Sequence, residues 1–400
     1  MVDARLEVKP TLQSIFCESF ESYSSTRRLS HHQRKAARSI MQCRTVALGG
    51  HVKKCPNGHV EGVWYNSCRH RSCPQCSYLS RERWLEKQKA RLLGCEHFHV
   101  IFTIAHEFDE LWRLNTRQLS EVVFQSARDT LFELLADERH LGAQAGVMMA
   151  LHTWGRTLTL HPHVHCLVTG GGWTASAEWK AVRNGYLVPV AVARTLFRGK
   201  FLDGIRKALE RGRLVLPQAM TESKLKNLLN RLGRKKWNVC IRERYGHGSG
   251  VISYLARYVR GGPLSNQKLV CVDEAGVKFR YRDHRDGKVK PMTLTPEQFI
   301  GRALWHVPEK GMQVVRHYGL YGRCRRELRA RCREQLGQAA EQAFEELAVE
   351  QYWQKAGHPE KLSCPVCGER LICLARFPRA GPVPDGLSGS FGKAQDRQAA

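Results

Sequence analysis

The chain has 400 residues, with 64 lysines and arginines against 37 acidic residues, and its net charge of +27 calls for a polyanionic partner, nucleic acid first. An apolar fraction of 42% is ordinary for a globular protein of two or three domains. No apolar run nears the ~20 residues of a membrane span and the N-terminus lacks the apolar core of a signal peptide, so a cytoplasmic, nucleoid-associated protein is expected.

An anionic membrane is the lesser polyanion, because no basic amphipathic helix with a large apolar face stands out. The 15 cysteines are an odd number. In a reducing compartment they read as thiolate metal ligands rather than a disulfide framework.

Residues 1–50 read as helical and basic, with T-R-R-L-S-H-H-Q-R-K-A-A-R-S-I-M (Thr26–Met41) either a DNA-facing helix or a solvated face. The stretch Lys54–Cys76 then offers five ligands, Cys55, His59, Cys68, Cys73 and Cys76, within 22 residues. Zinc takes four nitrogen or sulfur ligands in a tetrahedron, and Cys73-Pro-Gln-Cys76 is a knuckle that supplies two of them. Four of the five are expected to hold one Zn²⁺. Arg69, His70, Arg71, Arg81 and Arg83 surround the cluster and suit phosphate contacts. A charged helix is expected over 77–93, a buried strand over His97–Ile104, and a helix over 107–141.

The stretch L-T-L-H-P-H-V-H-C-L-V (Leu158–Val168) alternates as a strand does. Leu158, Leu160, Pro162, Val164, Cys166 and Val168 share one face, and His161, His163 and His165 share the other. Imidazoles two apart lie roughly 6.5–7 Å apart at Cα, close enough for two rings to lean onto one cation. A third ligand must come from elsewhere: His161, His99, His152 and His106 are candidates, with His161 set about 13 Å from His165 along an extended chain. Pro162 cannot donate to a ladder, which predicts a strand starting at His163 or an edge strand. Gly170–Gly172 predicts a turn. A basic helix is expected over Glu222–Lys236, and Arg231–Trp237 is either a phosphate track with a stacking tryptophan or a solvated charge run.

The segment Gly248–Pro263 reads as a short helix on which Tyr254 and Tyr258, four apart, share a face; alone, such a pair is packing. A hairpin region follows over 265–295, then helix, turn and strand over Phe299–Tyr321 and a helix over 323–356. Cys364-Pro-Val-Cys367-Gly is a second knuckle and a candidate second zinc site, with partners open among Cys373, His358, Cys324 and Cys332. The predicted division is 1–94 basic, helical and zinc-binding; 95–322 catalytic; 323–376 a helix with the knuckle; 377–400 a disordered tail by composition.

Taken together, the motifs resemble the two-tyrosine HUH rolling-circle transposases of bacterial insertion sequences, the IS91 family. The resemblance rests on N-S-C-R-H-R-S-C-P-Q-C, F-H-V-I-F-T, L-H-T-W-G-R-T-L, H-P-H-V-H, Y-L-A-R-Y and L-W-H-V-P-E-K-G-M-Q-V-V-R-H-Y-G, standing in one order from about Gly49 to about Tyr321. It implies that His163 and His165 bind the catalytic Mg²⁺ or Mn²⁺, with Val164 as the hydrophobic centre of the signature, and that Tyr254 and Tyr258 are paired nucleophiles. It implies an α+β fold: an antiparallel-sheet HUH palm with the tyrosine helix across its histidine face and helices on the opposite side, preceded by a small zinc-binding module.

The function so implied is a transposase that nicks and rejoins single-stranded insertion-sequence ends through a 5′-phosphotyrosine. Two departures stand out. The family's first knuckle is often C-x2-C-G-H, and this chain has Cys55-Pro-Asn-Gly-His59, which leaves His59 or Cys68 to complete the site. After Tyr258 the family often shows more basic residues, where this chain has Gly261-Gly262. Rivals are a replication initiator or relaxase-like nicking enzyme with the same chemistry, a zinc hydrolase built on His161, His163 and His165, and a non-catalytic zinc-module DNA binder.

Overall fold

The computed structural model describes residues 9–246, 248–259, 262–283, 285–341, 344–356 and 362–379, without the side chains of Glu243, Arg244, Tyr254, Arg257, Tyr258 and Val259. The chain opens with α1 (Leu12–Ser25) and α2 (His31–Met41), each begun by a capping box, on Thr11 and Ser30. Apolar residues of α1 recur at helical spacing and bury Leu12, Ile15, Phe16, Phe20 and Tyr23. The hairpin β1 (Gly50–Lys54) and β2 (Glu61–Tyr65) follows, then α3 (Tyr78–Lys89) and β3 (His97–Thr103).

The expected helix over 107–141 is two: α4 (Asp109–Leu114) and α5 (Thr116–Ala136). Asn115 breaks it, folding its side chain onto the carbonyls of Leu111 and Val215 instead of continuing the helix. Next come β4 (Gln144–Trp154), β5 (Leu160–Trp173), β6 (Trp179–Ala181), α6 (Val190–Glu210), α7 (Glu222–Gly233), β7 (Val239–Tyr245) and α8 (Ser249–Val259). Three strands, β8 (Leu269–Asp273), β9 (Gly276–Arg282) and β10 (Val289–Leu294), precede α9 (Pro296–Trp305) and β11 (Val315–Gly319). The helix expected over 323–356 is also divided, into α10 (Arg326–Gln335) and α11 (Val349–Lys355), the first followed by Gly337 at φ 64°. Among the described residues the last strand is β12 (Ile372–Phe377).

The described residues form an α+β fold with three antiparallel sheets. The main sheet runs β11-β4-β5-β3-β7 with β6 on the end of β5, and the others run β10-β9-β8 and β12-β1-β2. The histidine strand is therefore central, and it begins at Leu160 rather than His163. Pro162 is tolerated where the β4–β5 register slips between His152 and Trp154, and its carbonyl still accepts from the Ile104 amide at 3.3 Å.

Gly170–Gly172 form no turn; β5 runs through them. Their lack of a Cβ serves close approach: a Cβ on Gly171 would lie 2.5 Å from the Trp179 ring, and one on Gly172 2.8 Å from the Gln144 backbone.

One face of the main sheet packs on α5, α6 and α7 through a core containing Phe102, Val164, Cys166, Phe197, Phe201 and Leu229. Each such buried side chain contributes about 1.5–3 kcal/mol of transfer free energy. The other face carries the histidines and is covered in part by α3 and α8. A second core joins α1, α2, β8–β10 and α9, and takes in Cys43, Cys73 and Leu158. Among the described residues no helix is long and apolar enough to cross a membrane.

Candidate functional site

Strand pairing assembles the histidines. His152 on β4 stands opposite His163 on β5, and Ala150 opposite His165, so alternation sets His152, His163 and His165 on one sheet face. Their ligand nitrogens lie within 4.8 Å of one another, near the ~3–3.5 Å that nitrogens ~2.1 Å from a shared ion require. Ring centroids are 4.0 Å apart for His152 and His165, 4.7 Å for His163 and His165, and 5.2 Å for His152 and His163.

Of the candidates for a third ligand, His152 is thus the one gathered with the pair. His99 sits one step behind, its Nε2 2.7 Å from His165 Nδ1. The exposed His161 lies beside the group, its ring 5.0 Å from that of His163 and tilted 50° to it, and the exposed His106 pairs with Glu107 at 3.5 Å.

These rings are ready to ligate. Metal binding needs neutral imidazole, and burial pushes His163 down to about 4 and His152 well below its ordinary range, the neighbouring His165 adding to the latter. Burial also lowers His165, with His163 and His99 next, and takes His99 to about 4 with help from the Arg242 charge. His163 Nδ1 donates to the His161 carbonyl at 2.5 Å, which leaves Nε2 to face an ion. The His99 contact orients His165 in the same way. Arg242, exposed on β7 opposite His99, brings a positive charge beside the cluster. It escaped the sequence analysis because one arginine among many carries no spacing signal.

The helix α8 lies against this same face. Val251, Ile252, Leu255 and Ala256 pack with Met148, Ala150 and Leu167, which share that sheet face with the histidines of β4 and β5. Tyr254 and Tyr258 take backbone positions on that helix, four apart; their side chains, and with them the expected approach to His163 and His165, lie outside the described residues.

The five N-terminal ligands do not form one site. Cys68, Cys73 and Cys76 gather with Cys43, and Cys55 and His59 gather with Cys364 and Cys367, each set within 4.8 Å. This corrects the four-of-five expectation, and the reason is topological. Cys55 and His59 lie at the turn of the β1–β2 hairpin, whereas Cys43 follows α2 and faces the Cys68–Cys76 loop, where the Cys68 amide donates to its sulfur at 3.5 Å. Cys43 was missed because it stands alone in sequence, with no knuckle partner beside it. Cys332 is buried with Leu320 and Tyr321, Cys324 and Cys373 are exposed elsewhere, and His358 lies outside the described residues.

Four sulfurs in one cluster suit zinc. Cys68 and Cys76 Sγ are 3.5 Å apart, against the ~3.8 Å edge of a tetrahedron with ~2.3 Å Zn–S bonds. Sharing hydrogen bonds with Cys68, Cys73 and Cys76 pulls the Cys43 thiol far down, and the same contacts push Cys73 far up. Four sulfurs this close, competing for the same hydrogen bonds, are the donor set that zinc takes. Lys35 and Arg71 stand close enough to lower the half-buried His70 further than burial alone does, which marks a basic flank on this module.

Comparison with known proteins finds two family models on the chain. Residues 146–328 match the family model described as "Putative transposase", and residues 15–104 match the transposase zinc-binding domain of IS91 type. A relative from Sinorhizobium fredii, "Putative transposase y4qJ", is 35% identical over 392 residues, which span 95% of this chain and 97% of the relative. The transposase for insertion sequence element IS801 of Pseudomonas savastanoi pv. phaseolicola is 28% identical over 362 residues, 87% of this chain and 84% of that one. Among solved structures, the conjugative relaxase TrwC in complex with oriT DNA aligns with 40% of this chain and 70% of its own, at 11% identity and a TM-score of 0.23. The chain belongs to the IS91 family of transposases and carries their zinc-binding domain.

Proposed function

We propose that this transposase cuts and rejoins single-stranded insertion-sequence ends by tyrosine attack, with Tyr254 and Tyr258 as nucleophiles and His152, His163 and His165 as the ligands of a divalent cation. The reading rests above all on the gathering of three neutral imidazoles on the sheet face that α8 packs against. A bound cation would polarise the scissile phosphate and offset its developing charge. Nitrogen ligands favour Mn²⁺ over Mg²⁺ on softness, and either has the required charge.

The residues do the rest. A tyrosine oxygen attacks phosphorus in line as its proton leaves; the tyrosine O–P bond forms and the P–O3′ bond breaks. The 3′ oxygen departs with a proton as a hydroxyl, and the 5′ phosphate stays on the tyrosine. A phenol with a pKa near 10 needs a cation beside it for this step, and Arg242 adds positive charge on the same face. His99 acts as a positioning residue, orienting His165. Ester energy is kept in the adduct, so a second strand's 3′ hydroxyl reverses the step without ATP. Two tyrosines allow two transfers in sequence. Among the described residues no carboxylate joins the three histidines, which argues against the hydrolase alternative.

The test uses end-labelled single strands carrying the element's termini, with Mg²⁺ or Mn²⁺. Wild type is expected to give a denaturant-resistant protein–DNA adduct. Tyr254→Phe and Tyr258→Phe lose part of it, and the double variant and His165→Ala lose all. Cleavage without adduct, or an adduct from the double variant, would sink the assignment.

A further inference from the structure

We propose that the two ends of this chain share a second, structural zinc ion, held by Cys55 and His59 from the β1–β2 hairpin and by Cys364 and Cys367 from the turn before β12. Cys364 and Cys367 lie outside both matched segments, 15–104 and 146–328. The zinc-binding domain is therefore incomplete on its own, and its second site is finished from residues some 312 positions further along.

Geometry carries the case. The four ligand atoms lie within 4.8 Å of one another. Cys55 Sγ is 3.5 Å from Cys367 Sγ and 3.7 Å from His59 Nδ1, close to the ~3.8 Å edge that a tetrahedron of ~2.3 Å Zn–S bonds demands.

The two contributing turns close alike, each first cysteine amide donating to the carbonyl of the residue that ends the turn, while the left-handed glycine comes one residue later in the second. In C-P-N-G-H the Cys55 amide donates to the Val60 carbonyl at 2.7 Å and the Gly58 amide returns to the Cys55 carbonyl at 2.9 Å. In C-P-V-C-G the Cys364 amide donates to the Glu369 carbonyl at 2.7 Å and the Gly368 amide to the Cys364 carbonyl at 2.9 Å. Gly58 and Gly368 take φ of 77° and 75°, the left-handed bend each turn needs. Such paired turns present their ligands toward each other. Where the second turn has Cys367, the first has glycine, and the His59 ring supplies the missing fourth ligand. The Val366 amide reaches Cys364 Sγ at 3.4 Å and the Asn57 side-chain amide reaches Cys367 Sγ at 3.6 Å, donors that favour thiolate over thiol.

The surrounding sheet holds the turns in place. β12 pairs antiparallel with β1, Gly50 opposite Phe377. A Cβ on Gly50 would lie 2.7 Å from the buried Phe377 ring, so the contact is built for glycine. Three thiolates and one imidazole make a closed set with no position for a substrate, which is the pattern of a structural site.

Zinc content tests this independently of DNA cleavage, so it stands or falls apart from the proposed chemistry. Full-length protein would be assayed by mass spectrometry as wild type, Cys364→Ser, Cys367→Ser and, as an exposed control, Cys373→Ser. Cys364→Ser and Cys367→Ser are each expected to lose one equivalent of zinc relative to wild type and the control none; unchanged content in Cys364→Ser overturns the proposal. Because a serine variant can also fail to fold, the second measurement makes a thiolate instead of removing one. In cobalt-loaded His59→Cys the ion is expected to stay bound, with more thiolate-to-cobalt charge transfer and visible bands moved to the four-thiolate pattern. A spectrum identical to wild type overturns the proposal whatever the serine variants do.

Discussion

His306 and His317 are enclosed imidazoles outside the histidine cluster, and they set an acid limit on the fold. His306 accepts from the Thr153 hydroxyl at 3.1 Å and donates to the Leu158 carbonyl at 3.1 Å, so a single neutral tautomer satisfies both neighbours. His317 donates to the Gln88 side-chain carbonyl at 2.8 Å. Burial takes His306 from the ordinary 6.5 to about 4, and burial together with the charges of Arg91, Arg323 and Arg329 takes His317 to about 4. Below 6.5 the unfolded chain takes up protons that the fold refuses. Stability is therefore intact above pH 6.5 and is lost as pH falls from 6.5 toward 4, with a slope of at most about 1.4 kcal/mol per pH unit for each ring. Thermal unfolding of zinc-loaded protein is expected to show a falling midpoint across that window. His317→Gln, which keeps a donor toward Gln88, should flatten the fall; an unchanged slope would remove His317 from the account.

Elements meet where the sheet leaves no room for side chains. Gly319 ends β11 at φ 57°, and a Cβ there would lie 1.9 Å from the Ala145 carbonyl oxygen. Neither the conformation nor the space admits alanine, so Gly319→Ala is expected to lower stability by more than about 1 kcal/mol and to detach β11 from the rim of the sheet. Denaturant unfolding measures this, and a midpoint within error of wild type would contradict it. Leu158 is the opposite case, a residue held at φ 61° while its side chain is buried in the second core. The strain of roughly 1–2 kcal/mol is outweighed by burial and by the His306 and Arg302 side chains that bond the carbonyls of Leu158 and Thr157.

Elements also differ in how far the sequence alone reveals them. Strict alternation marks the histidine strand and its two faces, because the period is a local property of the chain. Gly170–Gly172 mislead, since glycine marks a turn and a close approach alike, and only Trp179 and Gln144 decide between them. The ligand sets are beyond local reach as well: Cys43 joins Cys68 across 25 residues, and no spacing rule links the two. The likeness of C-P-N-G-H to C-P-V-C-G is present in the sequence, and it gains meaning only when β12 lies beside β1.

At the scale of the molecule, the +27 charge is distributed over a body in which the zinc module and the palm share a core. Lys35 and Arg71 flank the four-cysteine cluster, and Arg242 stands on the histidine face. A single strand running from the module to the palm would meet basic groups along the way, and each phosphate neutralised releases condensed counterions. For roughly six neutralised phosphates the logarithm of affinity should fall against the logarithm of salt with a slope of about −4, since each phosphate of a single strand contributes about −0.7. Fluorescence anisotropy with the Tyr254→Phe, Tyr258→Phe double variant, which cannot consume the probe by the proposed chemistry, reads this slope directly. Arg71→Gln should weaken binding to all sequences alike and make the slope shallower by about 0.7, the share of a single phosphate. A slope near zero would mean that base stacking, and not the charge surplus, holds the DNA. An unchanged slope in Arg71→Gln would move the strand's path off the flank of the zinc module.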